Sequence, residues 1–179
     1  LQTDDGGESW VPRSSASIQN FYDVSFADAS TGIIVGGLNT ILRTVDGGGT
    51  WTSLSPGVLW YIQGVQFGSA NVGVTVGSSG RILRTEDGGA TWTEQVSGTA
   101  YGLQDVCMTS AAVGIAVGAA GTILRTSDGG VTWQPQQSGV ETELMAVSFA
   151  DADNGVITDG SETILRTTDG GVNWLPLST

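Results

Sequence analysis

Short apolar runs separated by glycine-rich breaks set the pattern of this chain. In Phe21-Tyr22-Asp23-Val24-Ser25-Phe26, Val24 and Phe26 alternate with Asp23 and Ser25, the period-2 mark of a β-strand. The same register returns over Ile62 to Phe67, Leu103 to Met108 and Leu144 to Phe149. A turn at Asp28-Ala29-Ser30-Thr31-Gly32 leads to Ile33-Ile34-Val35-Gly36, matched by Val74-Thr75-Val76-Gly77 and Ile115-Ala116-Val117-Gly118. These runs are apolar on both faces, as expected of strands sandwiched between neighbouring layers. A second glycine-rich turn (Ser78-Ser79-Gly80, Ala119-Ala120-Gly121) precedes a third strand, Ile-Leu-Arg-Thr, and a short fourth strand begins at a tryptophan.

The four-strand unit repeats every 41 residues without insertion. Its clearest phrase, Arg43 to Trp51, recurs as Arg84 to Trp92, Arg125 to Trp133 and Arg166 to Trp174, and in altered form as Gln2 to Trp10. Asp5, Asp46, Asp87, Asp128 and Asp169 and the tryptophans Trp10, Trp51, Trp92, Trp133 and Trp174 therefore read as scaffold. Glycines in the Asp-Gly-Gly turn supply the positive φ of a tight hairpin. The Asp is expected to bond backbone N–H groups one and two residues on, and the Trp to cover the hairpin. A period of roughly 40–45 residues is the size of a four-stranded propeller blade. The expected fold is all-β: a single β-propeller, or a piece of one, over 1–179. Blades fall at about 15–55, 56–96, 97–137 and 138–179, with a partial blade hairpin at 1–14. Two equivalent terminal hairpins are one too many for a four-bladed ring. A larger ring, or self-association to complete it, is therefore expected.

Composition narrows the class. Glycine is abundant at 28 residues and lysine is absent, and no apolar run approaches the ~18 residues of a membrane helix, so the chain reads as soluble. Eighteen acidic against six basic residues give a formal charge of −12, which opposes nucleic-acid binding. The single cysteine, Cys107, excludes an internal disulfide and reads as an inert thiol. Beginning at Leu1 with no signal peptide, the chain is expected to be a mature form, a shortened form or part of something longer.

Ser127-Asp128-Gly129-Gly130-Val131-Thr132-Trp133 resembles the Asp-box, or BNR repeat, of sialidases and sortilin-type receptors. The wider phrase, from Val117 to Thr126 before the box and Val147-Ser148-Phe149-Ala150-Asp151 after it, resembles the photosystem II stability/assembly factor family. That resemblance implies a lumenal, periplasmic or secreted propeller that helps assemble a membrane complex, with a protein partner and no cofactor. Two departures stand out. The family's seven-bladed ring is only partly covered, and its basic patch has no counterpart, because Arg43, Arg84, Arg125 and Arg166 share one repeated position that points to a structural role.

A site should lie where the repeats disagree. That stretch opens the first strand, at Gln19, Trp60, Tyr101 and Thr142, then Asn20, Tyr61, Gly102 and Glu143. Trp60, Tyr61, Tyr101 and Tyr22, edged by Gln63, Gln104 and Asp105, are the candidate platform for a peptide or a sugar. Catalysis has little support, since histidine and lysine are both absent. Asp23 and Asp105 are the one pair placed for two-carboxylate chemistry, and solvated or turn-capping acids are the expectation. A calcium reading of Asp151 to Gly155 fails because the equivalent turns lack carboxylates. The sequence thus points to a non-catalytic binding or assembly scaffold. The alternative is a carbohydrate-binding propeller or a fragment of a glycoside hydrolase.

Overall fold

The computed structural model describes residues 1–3, 5–13, 17–54 and 60–177. The expected boundaries at 14/15 and 55/56 and the terminus at 179 lie outside them. Four four-stranded antiparallel sheets follow one another along the chain, each with its strands in sequence order. Blade one holds β1 (Phe21–Phe26), β2 (Gly32–Gly36), β3 (Thr40–Thr44) and β4 (Thr52–Leu54). Blade two holds β5 (Ile62–Phe67), β6 (Gly73–Gly77), β7 (Ile82–Thr85) and β8 (Thr93–Gln95). Blade three holds β9 (Leu103–Met108), β10 (Gly114–Gly118), β11 (Ile123–Thr126) and β12 (Gln134–Gln136). Blade four holds β13 (Leu144–Phe149), β14 (Gly155–Asp159), β15 (Ile164–Thr167) and β16 (Leu175–Pro176). The one helical element among the described residues is a 3-10 turn at Ser78–Gly80. The fourth strands begin just after the tryptophan rather than on it.

The core lies between blades. Ile33, Val35 and Ile41 of blade one meet Ile62, Val65 and Phe67 of blade two. Val74, Val76 and Ile82 meet Leu103, Val106 and Met108 in the same way, and Ile115, Val117 and Ile123 meet Leu144 and Val147. Each fully buried side chain of this kind is worth ~1.5–3 kcal/mol over exposure, and most of that burial is shared between neighbouring blades. First strands are neighbours, β1 with β5, β5 with β9 and β9 with β13, and no contact of comparable extent returns from β13 to β1. The four blades form an open arc.

Polar groups pin the blades together. Arg43 Nε donates to the Gly88 carbonyl (2.9 Å), Arg84 Nε to Gly129 (2.6 Å) and Arg125 Nε to Gly170 (2.9 Å), each reaching into the following blade's Asp-Gly-Gly turn. The second glycine of that turn must remain small. Gly89 has φ 79°, and a Cβ there would sit 2.6 Å from Ile33 Cδ1 of the preceding blade.

The turn itself departs from the expected geometry. Asp46 Oδ1 accepts the Thr50 N–H, four residues on, at 2.9 Å, and Oδ2 accepts the Thr50 hydroxyl at 2.7 Å. The hub is a buried threonine that the sequence reading passed over. Thr44 Oγ1 donates to Asp46 Oδ1 (2.8 Å) while accepting the Gly48 N–H (2.9 Å). Thr85, Thr126 and Thr167 repeat the arrangement, each 1% exposed.

Candidate functional site

The positions that vary between repeats gather where the first strands begin, beside the turns that join second and third strands. Asn39 N donates to the Trp60 carbonyl (2.9 Å) and Ser78 N to that of Tyr61 (3.0 Å), which ties each blade-to-blade connection to a neighbouring turn. On this rim Tyr22 and Tyr61 are both about half exposed, with ring centroids 6.5 Å apart at 32°. Gly37 lies beneath them, and a Cβ there would only touch the Tyr22 hydroxyl and the Tyr61 ring at 3.4–3.6 Å. Tyr101 is more exposed, at 57%, and lies in the next connection, with no ring contact to the other two among the described residues. Gln104 Nε2 donates to Glu143 Oε1 at 2.5 Å, joining blades three and four across the rim. Gln63, at the register position of Tyr22 and Gln104, is half-buried.

Two candidates take other places. Trp60 is only 6% exposed and belongs to the core between blades one and two. It packs over Gly77, where any Cβ would collide with its ring, so it offers no face to a ligand here. Asp105 is turned along the strands. Its Oδ1 accepts the Val106 N–H and its Oδ2 the Val147 N–H, both at 2.8 Å. Asp23 does the same with Val24 and Val65, also at 2.8 Å. These two carboxylates staple adjacent first strands.

Their electrostatics follow from burial. Desolvation raises the pKa of Asp23 and of Asp105 despite the two amides each accepts, and the Asp23 charge raises Asp105 further. The Asp-box carboxylates go the other way. Asp46 is held down at about 2 by the Thr50 N–H and hydroxyl, then the Thr44 hydroxyl. Asp128 is at about 2 through the Thr132 hydroxyl and N–H, and Asp169 at about 2 through the N–H and side chain of Asn173. At Asp87 burial pushes upward, but the Thr91 hydroxyl and N–H outweigh it and leave about 2. Burial lifts the Cys107 thiol above its ordinary value, which leaves less of the nucleophilic thiolate. Asp151 Oδ1 accepts the N–H groups of Asp153 and Asn154, so it serves its own turn.

The family described as photosynthesis system II assembly factor YCF48 matches residues 8–93 and 95–179. The chain belongs to that family. A YCF48 structure bound to a D1 peptide is 23% identical with a TM-score of 0.74, covering 88% of this chain and 53% of that one. YCF48 from Cyanidioschyzon merolae is 21% identical with a TM-score of 0.73, covering 90% and 57%. A GH74 xyloglucanase from Xanthomonas campestris is 15% identical with a TM-score of 0.70, covering 88% and 30%. Among curated proteins nothing matches. The chain spans a little over half the length of the YCF48 structures it resembles, and the likeness bears on the propeller fold.

Proposed function

We propose that this chain is a non-catalytic binding scaffold of the YCF48 type, which holds a segment of a protein partner against its rim during assembly of a membrane complex, in a lumen, a periplasm or outside the cell. The observation that carries this reading is what the charged side chains are already doing. Asp23 and Asp105 are each bonded to two backbone amides, and Arg43, Arg84 and Arg125 to carbonyls of the next blade. General acid–base chemistry needs carboxyl groups free to reach substrate, and recognition of an acidic group favours free arginines. The rim leaves Tyr22, Tyr61 and Tyr101 accessible beside the Gln104–Glu143 pair, a set suited to a peptide backbone and to apolar side chains. A net charge of −12 favours a partner segment that is neutral or basic.

The second reading is a glycan ligand. It is favoured by the fold likeness to GH74 enzymes and by exposed tyrosines, since sugars stack on such rings. Cross-linking in native membranes followed by purification separates the two. The wild-type chain should capture a membrane-complex subunit, and the Tyr22→Ala/Tyr61→Ala double variant should lose it with the fold intact. Undiminished capture by that variant removes the rim reading. Binding to xyloglucan oligosaccharides, lost in the same variant, favours the glycan.

A further inference from the structure

Each first strand carries a bulge at the same place. Phe21 pairs with Gly36 and Asp23 with Val35, which leaves Tyr22 without a partner in β2. Gln63, Gln104 and Met145 are skipped in the same way in β5, β9 and β13. A bulge gives up a ladder position and re-aims the side chain it carries. Here the geometry is kept in four blades while the residue changes from Tyr to Gln, Gln and Met. The bulged residue of one blade is matched with the residue 39 positions on, in the connection to the next blade. At the first junction the pair is Tyr22 and Tyr61, with ring centroids 6.5 Å apart. At the third it is Gln104 and Glu143, joined by a hydrogen bond. At the second it is Gln63 and Gly102, and one side chain is missing.

Nothing in the fold asks for a glycine there. Gly102 does not take a positive φ, and a Cβ on it would touch only Ser78 Cα, at 3.9 Å. Its carbonyl accepts Ala119 N (2.9 Å) as that of Tyr61 accepts Ser78 N (3.0 Å), so the two residues hold equivalent backbone positions. The half-buried Gln63 amide makes no hydrogen bond among the described residues. The rim therefore has a notch at its middle junction, between an aromatic pair and an acidic one. Glu143 is exposed, and no cation pairs with it among the described residues. All three junctions lie inside the arc, with a blade on each side.

We propose that the notch clamps the main chain of an extended segment of a protein partner, with an apolar side chain against Tyr22 and Tyr61 and a lysine or arginine about six residues away at Glu143. This rests on the rim reading above and specifies the partner of that rim. Gln63 offers an amide donor and a carbonyl acceptor, the complement of a peptide unit. A side chain at 102 would take the space that the bound chain needs. Packed sheets lie ~10 Å apart and an extended chain advances ~3.3 Å per residue, so two junctions span about six residues. Glu143 and a net charge of −12 select a cation over an acid.

The probe is the end-blocked peptide Ser-Phe-Thr-Ser-Thr-Ser-Thr-Lys-Lys-Ser, tested beside its reversed sequence because main-chain polarity matters. By calorimetric titration the better of the two should bind at one per chain. Replacing both Lys by Glu, or Phe by Ser, should weaken it at least tenfold. Gly102→Tyr should abolish binding at unchanged Tm, and Gly102→Ala should preserve both. Glu143→Gln should bring the Lys and Glu peptides to equal affinity. Binding by neither sequence order, equal affinity of the wild type for the Lys and Glu peptides, or undiminished binding by Gly102→Tyr overturns the proposal. If Gly102→Tyr does not fold, Gln63→Ala decides, and unchanged affinity there overturns it. Capture from native membranes separates this site from the rim reading. Loss in Tyr22→Ala/Tyr61→Ala but not in Gly102→Tyr keeps the rim and removes the notch, whereas loss in neither removes both.

Discussion

Replacing Thr126 by valine keeps the shape of the side chain and deletes one oxygen. That oxygen accepts the Gly130 N–H at 2.8 Å and the Asp128 N–H at 3.3 Å, and its hydroxyl donates to Asp128 Oδ1 at 2.8 Å. Thr126 is 1% exposed and its bond to Gly130 is buried, so water cannot stand in for it. A buried N–H left without an acceptor costs ~1–3 kcal/mol. The two bonds at exposed Asp128 are largely recovered by water, adding at most ~0.5 kcal/mol. A loss of ~2 kcal/mol lowers Tm by ~4–8 °C in a chain of this size. Thr3 makes the same three bonds in the first box, to Asp5 and Gly7, but on an exposed loop. Thr3→Val should therefore stay within ~0.5 kcal/mol of wild type. Calorimetry with matched circular dichroism reads both, and Thr126→Ser should recover most of the loss. Equal effects at Thr3 and Thr126, or a serine no better than valine, would refute the buried-hub argument.

Acid should unfold the chain through its Asp-boxes. Asp46, Asp87, Asp128 and Asp169 titrate at about 2 against an ordinary 3.8, so their contribution is complete above pH 3.8 and disappears as pH falls through about 2. Asp23 and Asp105 act in the opposite sense, since their raised values favour the folded state when protonated and withdraw that favour as pH rises past them. A Tm series from pH 7 to 2 should fall most steeply below pH 4, and Asp128→Asn should flatten that fall. Trp60→Ala empties a buried site and should cost ~3–5 kcal/mol, whereas Tyr61→Ala should barely move Tm, and thermal melts of the two variants decide it. Arg125→Ala removes a charged bond to Gly170 and should cost ~1.5 kcal/mol, while the exposed Arg166, with no hydrogen-bond partner among the described residues, should be neutral on replacement. Matching losses at both arginines would contradict the forward-bridging role.

The strands were legible in the sequence almost to the residue, because 41-residue periodicity lets four copies vote on each position. The Asp-box lock was half legible. Its Asp and Gly carry familiar turn chemistry, but Thr44, Thr85, Thr126 and Thr167 read as ordinary strand residues. Their recurrence in all four boxes was the overlooked signal. Trp60 misled for the opposite reason. It occurs once, as a ligand contact would, yet the connection before β5 folds it under Gly77, whereas Tyr101 in the same register is 57% exposed. A residue present once can therefore be local packing as readily as a site, and only tertiary structure separates the two. Asp105 failed likewise, because an inner-strand carboxylate finds backbone N–H groups of the next blade that the sequence of one strand does not reveal.

Repetition also makes the structure its own control. Val24, Val65, Val106 and Val147 share one register and differ only in what lies beside them, so the 53% exposure of Val24 against 1%, 3% and 7% measures a missing neighbour rather than a peculiarity of the residue. The same comparison separates the two kinds of surface on this molecule. On the rim, residue identity changes from blade to blade while exposure is expected of all, which is how a chain acquires a ligand face without disturbing its scaffold. At the flank of blade one, identity stays apolar while exposure changes, which is the mark of a blade face built to be covered by a neighbouring blade. Variation in kind argues for recognition and variation in burial for assembly, and in this chain the two occur at different places.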